Sequence, residues 1–225
     1  LNLVCAGNAI PLVPGDNSHY VEGESRYIWI SNYVASRPLK VIVHGWNSNG
    51  NSEINILLVG AFLDESDCNV IVVDWRSAAN DLYTTAVGAV PSVGQFLGNF
   101  LSWLISNHGS NWNNVHLVGF SLGAHVVGNA GRTAGRRVIH TDGGILGIND
   151  PIGRTNFYPN GGRNLQPGCF ESTCSHSRVY WLFAATIWHH HLIGRQCTDL
   201  TQANSNQCTG GNLPMDKRVR YPLLN

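Results

Sequence analysis

The sequence predicts an α/β fold: a mostly parallel β-sheet flanked by helices, contained in a single domain. Three observations predict it. Short runs rich in valine and isoleucine alternate along the chain with longer segments of helical period. These runs are apolar at consecutive positions, which is typical of strands buried on both faces of a parallel sheet. The chain has 225 residues, 43% of them hydrophobic, enough for one full core.

The predicted elements alternate between strand and helix. Residues 1–25 show no period and predict an irregular lead-in, and Arg26 to Ile30 predicts a first strand. Apolar positions at helical spacing between residues 80 and 107 predict a long helix, interrupted at Pro91 because proline lacks a backbone donor. The other predicted strands are Leu39–Val43, Asn69–Val73, one from Val115 and Arg137–Thr141, and the other predicted helices are 53–66 and one ending at about Gly135.

The composition indicates which partners to expect. The formal net charge is zero and 12% of the residues are charged, about half the share in a typical domain. This balance does not favour nucleic acid or strong electrostatic steering, so we expect neutral or apolar partners. The longest apolar runs fall short of the roughly 18 residues that a membrane span requires. The amino terminus lacks a basic region followed by an apolar one, so we expect any secretory signal to have been removed.

The cysteines predict a disulfide framework. Their number, six, is even, and two pairs lie close in sequence: Cys169 with Cys174, and Cys197 with Cys208. Cys5 and Cys68 would then pair by elimination. Free buried thiols or a metal site are the alternative, although no C-x-x-C spacing is present. A disulfide framework predicts a secreted, extracellular protein.

A serine between two glycines marks the predicted functional centre. The segment Gly119–Gly123 follows an apolar strand and precedes a helical segment, with Ser121 at its middle. This G-x-S-x-G pattern in a strand–turn–helix setting is the nucleophile elbow, where small residues on both sides admit a sharp turn. The turn exposes the Ser121 hydroxyl and directs the amide of Leu122 to the place where an oxyanion would form. The pattern therefore predicts acyl transfer, with Ser121 as the nucleophile.

The general base is sought among ten histidines. In this architecture the chain order is serine, acid, histidine, so the base should follow Ser121. His125 is predicted to pack on the elbow helix, and His140 lies inside a predicted strand. His176 follows the short predicted disulfide and begins a helical pattern, which would anchor a loop-borne imidazole, so we choose it as the base. The cluster His189–His191 is interpreted as a solvated helix end, because adjacent helical residues point about 100° apart and cannot share one metal or serine.

Several motifs stand in a fixed order along the chain. They are Lys40 to Trp46, Val72 to Trp75, the elbow from Val115 to Gly128, Val138 to Gly144, Phe157 to Gly162 and Cys174 to Arg178. Together they resemble the animal pancreatic-lipase family, in particular its insect neutral lipases and venom phospholipases. The resemblance extends from about Lys40 to Cys208.

The resemblance implies an α/β-hydrolase fold, with residues 1–225 as one domain and without the family's carboxyl-terminal lipid-binding domain. It implies Ser121 as nucleophile and His176 as base, with an oxyanion hole formed by the amides of Trp46 and Leu122. It also implies a secreted carboxylic ester hydrolase acting on lipids, at a phospholipid sn-1 ester or an acylglycerol, without metal or cofactor. The expected partners are the lipid ester and a transient lipid surface.

Two departures from the family pattern bear on activity. The lid loop between Cys169 and Cys174 has only four residues, far fewer than in pancreatic lipases. The family's catalytic aspartate lies in a Leu-Asp-Pro-Ala-type segment before the Ile-His-Thr strand, whereas here Gly135 to Arg137 runs straight into that strand. In relatives the position of Asp142 is not catalytic, and the residue there caps a turn. Asp142 can therefore replace the family acid only if its strand has moved to where the Leu-Asp-Pro-Ala-type segment lies in relatives. Asp150 precedes a proline as the family acid does, but its surroundings match a later loop.

Two functions of different class follow. The intact serine and histidine favour a carboxylic ester hydrolase. The missing acid segment favours a catalytically inactive, lipase-derived protein that binds or stores lipid, as the insect yolk proteins of this superfamily do.

Overall fold

A four-stranded sheet forms the centre of the fold in the computed structural model. Its strands are β1 (Asn2–Ala6), β2 (Leu39–Val43), β3 (Asn69–Asp74) and β4 (Val115–Gly119), in the spatial order β1-β3-β2-β4. β2 pairs in parallel with β3 and β4, and β1 pairs antiparallel to β3. The predicted α/β class with a mostly parallel sheet is therefore confirmed.

The structure describes residues 2–6, 33–135, 139–141, 155–162 and 165–215. They divide into two compact units. The first contains the residues up to His140 together with Thr155, and the second contains Thr141 and the residues from Asn156 onward. The predicted strand Arg26–Ile30 and the two candidate acids, Asp142 and Asp150, lie outside the described residues.

The carboxyl ends of β2 and β4 lie side by side, because Val43 is opposite Gly119 in the parallel register. All six residues of β3 are buried, as are four of the five in β2. Such burial on consecutive positions is what the continuous apolar runs predict. The turns that follow β2 and β4 therefore emerge together at one edge of the sheet.

Helices of the first unit pack against this sheet. They are α1 (Glu53–Glu65), α2 (Arg76–Ala79), α3 (Tyr83–His108) and α4 (Leu122–Thr133). One core cluster joins the sheet to α3 and α4, through residues such as Val41, Val73, Leu97, Leu101 and Val126. No helix in the described ranges is long and apolar enough to cross a membrane.

The predicted interruption of the long helix at Pro91 is wrong, because α3 continues through it. A proline within a helix leaves the carbonyl four residues earlier, here that of Val87, without its partner. Val87 and Pro91 are both exposed, so water can replace the missing donor. The buried neighbours Val90 and Gly94 hold both halves of the helix on the core.

α3 and α4 approach each other closely at two glycines. A Cβ added to Gly94 would lie 2.3 Å from the Cβ of Asn129, and one added to Gly98 would lie 2.7 Å from the carbonyl oxygen of Ala130 and from the Cβ of Thr133. Only residues without a side chain fit at such distances. The position of α4, which begins directly after Ser121, therefore depends on the surface of α3.

The chain's first described segment is a strand, so the irregular lead-in predicted for residues 1–25 is wrong over Asn2–Ala6. Asn2 pairs with Asp74 and Ala6 with Val70. The segment is too short to show a period of its own in the sequence. Its conformation comes from the hydrogen-bonding edge of β3, which only the folded sheet provides.

The remaining elements are short apart from one helix. Two three-residue strands, β5 (Ile139–Thr141) and β6 (Thr155–Phe157), follow α4 along the chain. The second unit contains α5 (Ser172–His189), β7 (Ile193–Arg195), α6 (Leu200–Ser205) and β8 (Asn212–Pro214). β7 and β8 pair antiparallel, with Ile193 opposite Pro214.

Two of the three predicted disulfides are formed, Cys169–Cys174 and Cys197–Cys208. The third is wrong, because Cys68 is a buried free thiol. The register of β1 on β3 gives the reason. Cys5 is opposite Ile71, which lies three residues beyond Cys68. Three residues along a strand are about 10 Å, beyond the Cα separation that a disulfide can bridge.

Candidate active site

Ser121 lies in the tight turn between β4 and α4. Its backbone has φ 55° and ψ −127°, a conformation that costs an L-residue on the order of 1–3 kcal/mol. The amides of Gly123 and Ala124 close the turn by donating to the carbonyls of Phe120 (2.8 Å) and Ser121 (3.0 Å). Strain of this kind persists only where neighbouring contacts fix the backbone. The predicted strand–turn–helix setting of Ser121 is therefore present.

Gly119 and Gly123 in the elbow have no room for a side chain. A Cβ on Gly119 would lie 2.2 Å from the carbonyl oxygen of Gly123, and one on Gly123 would lie 2.3 Å from that of Val43. Both obstacles are backbone atoms, which cannot move aside as the end of a flexible side chain would. The beginning of α4 is thus pressed against the ends of β2 and β4.

The turn after β2 packs directly on Ser121. A Cβ on Gly45 would lie 2.8 Å from the Cβ of Ser121, so glycine allows the two turns to touch. The amide of Phe120 donates to the carbonyl of Val43 at 3.0 Å and joins the two segments. The structure therefore brings together three of the predicted site residues: Trp46 next to Gly45, Ser121, and Leu122 at the first position of α4.

The backbone amides of Trp46 and Leu122 at this junction have no acceptor among the described residues, and the same is true of the neighbouring amides of Gly45 and Ser121. The first amides of a helix have no intrahelical partner, and Leu122 opens α4. Unpaired backbone donors beside a serine hydroxyl are suited to bind a negatively charged oxygen. The amides of Trp46 and Leu122 are the two that the sequence predicts for the oxyanion hole.

A buried cluster of ionisable residues lies beneath the same turn. His44 is fully buried and Asp74 is 4% exposed. Nε2 of His44 is 3.3 Å from Oδ1 of Asp74. Arg76 donates to Oδ2 of the same carboxylate through Nε (2.7 Å) and through its terminal nitrogen. Sequence reasoning missed this cluster, although a histidine and an aspartate each close a buried strand.

The carboxyl group of Asp74 is held in its charged form. Burial alone would raise the pKa of Asp74, but hydrogen bonds from His44 and Arg76 outweigh it and lower that pKa well below its usual value. The carboxylate also has little room, since a Cβ on Gly50 would lie 2.8 Å from its Oδ2. The buried charge of Asp74 is thus held by several fixed partners.

An exposed apolar surface adjoins the turn. Trp46 and Tyr83 are 41% and 44% exposed and meet edge to face, with ring centroids 5.3 Å apart. The indole of Trp46 donates to the carbonyl of Asp81 at 2.9 Å, which fixes its orientation. Leu82 is 74% exposed beside them. The sequence did not single out Leu82 or Tyr83 for this surface, because only the fold brings them next to Trp46.

In the second unit, His176 is the fifth residue of α5, so it is borne by a helix and not by a loop as predicted. The segment before it is well fixed. Ser175 is fully buried, accepts from the amide of Gln166 at 3.0 Å and donates to the carbonyl of Glu171 at 3.2 Å. Together with the Cys169–Cys174 bridge, these contacts hold the first turn of α5 on the preceding loop.

The histidine cluster lies at the opposite end of α5. His189 is the last helical residue and His190 caps the helix in the left-handed conformation, with φ 51°. All three side chains from His189 to His191 are exposed, as the interpretation of a solvated helix end predicts. Within the described part of the chain, no group of three or more His, Cys, Asp or Glu side chains is arranged to hold a metal ion.

The comparisons with known proteins point to one family. A family model described as Lipase matches residues 13–141, more than half of the chain. Lipoprotein lipase from Homo sapiens is 30% identical over 193 residues, covering 68% of this chain and 40% of the relative. The lipoprotein lipases from Bos taurus and Mus musculus are 31% and 30% identical over the same shares. The chain thus spans about 40% of the length of these curated relatives.

The extent of the match also indicates missing positions. A share of 68% of 225 residues is about 153 residues, some 40 fewer than the 193 positions of the match. About 40 positions of the match therefore have no counterpart in this chain. Because the matched model covers most of the chain and its motifs stand in the family's order, the chain belongs to the pancreatic-lipase family and has its α/β-hydrolase fold.

Proposed function

We propose that the protein is a secreted carboxylic ester hydrolase that acts on lipid esters through a serine nucleophile. One observation carries the proposal: the strained Ser121 lies between two backbone amides, of Trp46 and Leu122, that no described residue occupies. This arrangement offers a nucleophile and a preorganised site for an oxyanion at the same point. The name of these relatives, lipoprotein lipase, supports a lipid ester as substrate.

The proposed reaction has two halves. The Ser121 hydroxyl attacks the ester carbonyl while His176 takes its proton, and the two amides bind the tetrahedral oxyanion. Collapse of this intermediate expels the alcohol, which receives the proton from His176, and leaves an acyl group on Ser121. Water then repeats the sequence and releases the carboxylic acid.

The proposal assigns the acid of the triad to Asp142. Asp142 is our candidate because it directly follows β5, and a triad acid usually stands at the carboxyl end of a strand after the nucleophile helix. If Asp142 holds the His176 tautomer, Asp142→Asn should reduce turnover about ten-thousandfold without unfolding the protein. A near-normal rate for this variant would eliminate Asp142.

The substrate class follows from the surfaces. The exposed group Trp46, Leu82 and Tyr83 beside the proposed oxyanion hole is suited to acyl chains. The loop within the Cys169–Cys174 bridge is as short as the resemblance to the venom phospholipases leads us to expect of an enzyme that accepts a polar head group, so we favour a phospholipid sn-1 ester over an acylglycerol. The two disulfides formed support an extracellular location.

The test combines turnover with covalent labelling. Hydrolysis of a short-chain p-nitrophenyl ester is measured for the wild type, for Ser121→Ala and for Ser77→Ala, which removes an exposed hydroxyl elsewhere. Loss of a triad nucleophile typically lowers turnover on the order of a millionfold, so Ser121→Ala should be inactive and Ser77→Ala normal. A fluorophosphonate should label the wild type at Ser121 alone.

Two results would count against the proposal. Label on another residue, with activity retained by Ser121→Ala, would show that the site is misplaced. Binding of lipid by the wild type with neither turnover nor labelling would instead support the lipase-derived binding protein.

A further inference from the structure

The peptide that supplies the Trp46 amide is held by a hydrogen bond on its other side. Nδ1 of His44 lies 2.9 Å from the carbonyl oxygen of Gly45. A carbonyl oxygen only accepts, so Nδ1 carries the hydrogen in this contact. The Gly45–Trp46 peptide is trans, and the C=O and N–H of a trans peptide point in opposite directions in one plane. Fixing the Gly45 carbonyl therefore also fixes the direction of the Trp46 N–H.

The turn of residues 44–47 is held by hydrogen bonds at both of its ends. The indole Nε1 of Trp75 donates to the carbonyl of His44 at 2.8 Å, and the amide of Asn47 donates to the carbonyl of Ala79 at 2.9 Å. Between these points the Trp46 amide has no acceptor among the residues described, and Trp46 is 41% exposed. A backbone donor at such a position is open to water or to a ligand.

The His44 ring is itself fixed on its far side. Nε2 is 3.2 Å from the amide nitrogen of Trp75 and 3.3 Å from Oδ1 of Asp74. These two contacts hold the far edge of the ring, while the hydrogen on Nδ1 faces the Gly45 carbonyl.

Asp74 is itself held by Arg76, which lies outside the turn of residues 44–47. Arg76 binds its Oδ2 with two nitrogens, and the Arg76 amide donates to Oδ1 at 3.1 Å. His44 is completely buried and Asp74 nearly so, so water does not compete for these contacts. The proposed reaction does not use any of the three side chains.

We propose that His44 is a positioning residue that aims the Trp46 amide at the oxyanion, and that Asp74, supported by Arg76, holds its ring in place. The proposal rests on the proposed function, since it assigns the oxyanion to the reaction at Ser121. His44 touches no reacting atom, and it acts through the Gly45–Trp46 peptide.

Two substitutions of His44 separate positioning from packing. His44→Asn places an amide donor at about the depth of Nδ1, where it can reach the Gly45 carbonyl. His44→Gln fills a volume closer to that of histidine and places its amide at the depth of Nε2, so it keeps a partner for Asp74 and loses the contact with Gly45. His191→Gln, at an exposed position, is the control for the substitution itself.

We expect His44→Gln to lower kcat about 10- to 100-fold with little change in KM, because the lost interaction forms mainly in the transition state. His44→Asn should recover most of this loss, although it is the less conservative change in size. Melting temperatures of both variants are measured alongside. Equal losses in the two variants, or no loss in either, would overturn the proposal.

A second measurement does not depend on turnover. Nitrogen-15 NMR of the whole chain, labelled at histidine, reports which ring nitrogen of His44 carries hydrogen. We expect Nδ1 to carry the hydrogen that faces the Gly45 carbonyl, and a ring with its hydrogen on Nε2 alone overturns the proposal. If the wild type hydrolyses no ester, the proposed function fails on its own. The NMR result, with the shift of the Trp46 amide signal in His44→Gln but not in His44→Asn, then still decides the positioning role.

Discussion

The strained backbone of Ser121 is maintained by glycines on three segments that meet at one point. Gly45 follows β2, Gly119 ends β4 and Gly123 lies in the first turn of α4, and each is in contact with backbone or with Ser121 itself. Because glycine has no side chain, the three segments approach closely enough to hold the serine in its unusual conformation. The strained backbone of Ser121 therefore depends on glycine at three other positions.

Two alanine substitutions within α4 test this account. In Gly123→Ala the new Cβ would lie 2.3 Å from the carbonyl oxygen of Val43, whereas in Gly128→Ala nothing lies within 4 Å. Overpacking typically costs about 1–3 kcal/mol, and an unobstructed helical glycine gains roughly 0.5–1 kcal/mol on change to alanine. Thermal unfolding should therefore show a lower melting temperature for Gly123→Ala and a higher one for Gly128→Ala. Equal shifts in the same direction would mean that the elbow tolerates a side chain.

Asp74 should make the folded state sensitive to acid. Its pKa in the folded protein is lowered by His44 and Arg76 against the opposing effect of burial, so the folded state binds a proton less readily than the unfolded chain. The stabilisation is present above the unfolded pKa of about 4 and is lost as pH falls towards the folded value.

We therefore expect the wild type to lose more stability than Asp74→Asn when the pH is lowered from about 5 to 2. Denaturant unfolding at several pH values measures this difference. Asp67→Asn is the control, because Asp67 forms an exposed ion pair with Arg37, and such pairs contribute little. If the three proteins show parallel losses, Asp74 does not carry the acid sensitivity.

At the scale of elements, the two disulfides stabilise the second unit to different degrees. The Cys197–Cys208 bridge spans 11 residues and the Cys169–Cys174 bridge spans 5. The chain-entropy model assigns them about 3 and about 2 kcal/mol. Replacing Cys197 and Cys208 by alanine should therefore lower the melting temperature more than replacing the other pair. The reverse order would show that native contacts of the shorter loop outweigh the entropy of the longer one.

Peptide mapping without reduction gives a second check on the framework. It should recover the two bridges and find Cys68 as a thiol. Burial raises the pKa of the Cys68 thiol, which lowers its thiolate fraction, so Cys68 should resist alkylation until the protein unfolds. Recovery of a peptide that joins Cys5 to Cys68 would contradict the register of β1.

The elements predictable from the sequence are those with a strong local signal. The apolar runs of β2, β3 and β4 and the glycine-flanked Ser121 carry their structure in neighbouring residues. β1 and the course of α3 past Pro91 do not, because pairing with β3 and packing on the core decide them. For the same reason the sequence gives no sign of the contact between His44 and Asp74, which are 30 residues apart.

At the scale of the molecule, the short loop of the Cys169–Cys174 bridge bears on how the protein meets lipid. Four residues separate the cysteines, and α5 already begins at the third of them. Such a loop cannot form a helix that covers an apolar groove, and its Phe170 is 97% exposed. If the proposed lipid-ester site has no lid to open, it should act on single substrate molecules as well as on aggregates.

We therefore expect the rate with a sparingly soluble ester to rise smoothly through the solubility limit. The measurement is initial rate against substrate concentration on both sides of that limit. Phospholipid should be cleaved as well as, or better than, triacylglycerol. An abrupt increase at the point of aggregation, together with no cleavage of phospholipid, would contradict the open site.

The close approach of α3 and α4 at Gly94 and Gly98 has a genetic consequence. Neither glycine lies in the nucleophile elbow, yet any larger residue there would push α4 and the serine at its start away from the sheet. A random mutagenesis screen for inactive clones should return substitutions at both glycines. Suppressors on the facing helix should be rare, because the carbonyl oxygens of Val126 and Ala130, each 2.7 Å from an added Cβ, are backbone atoms that no substitution removes.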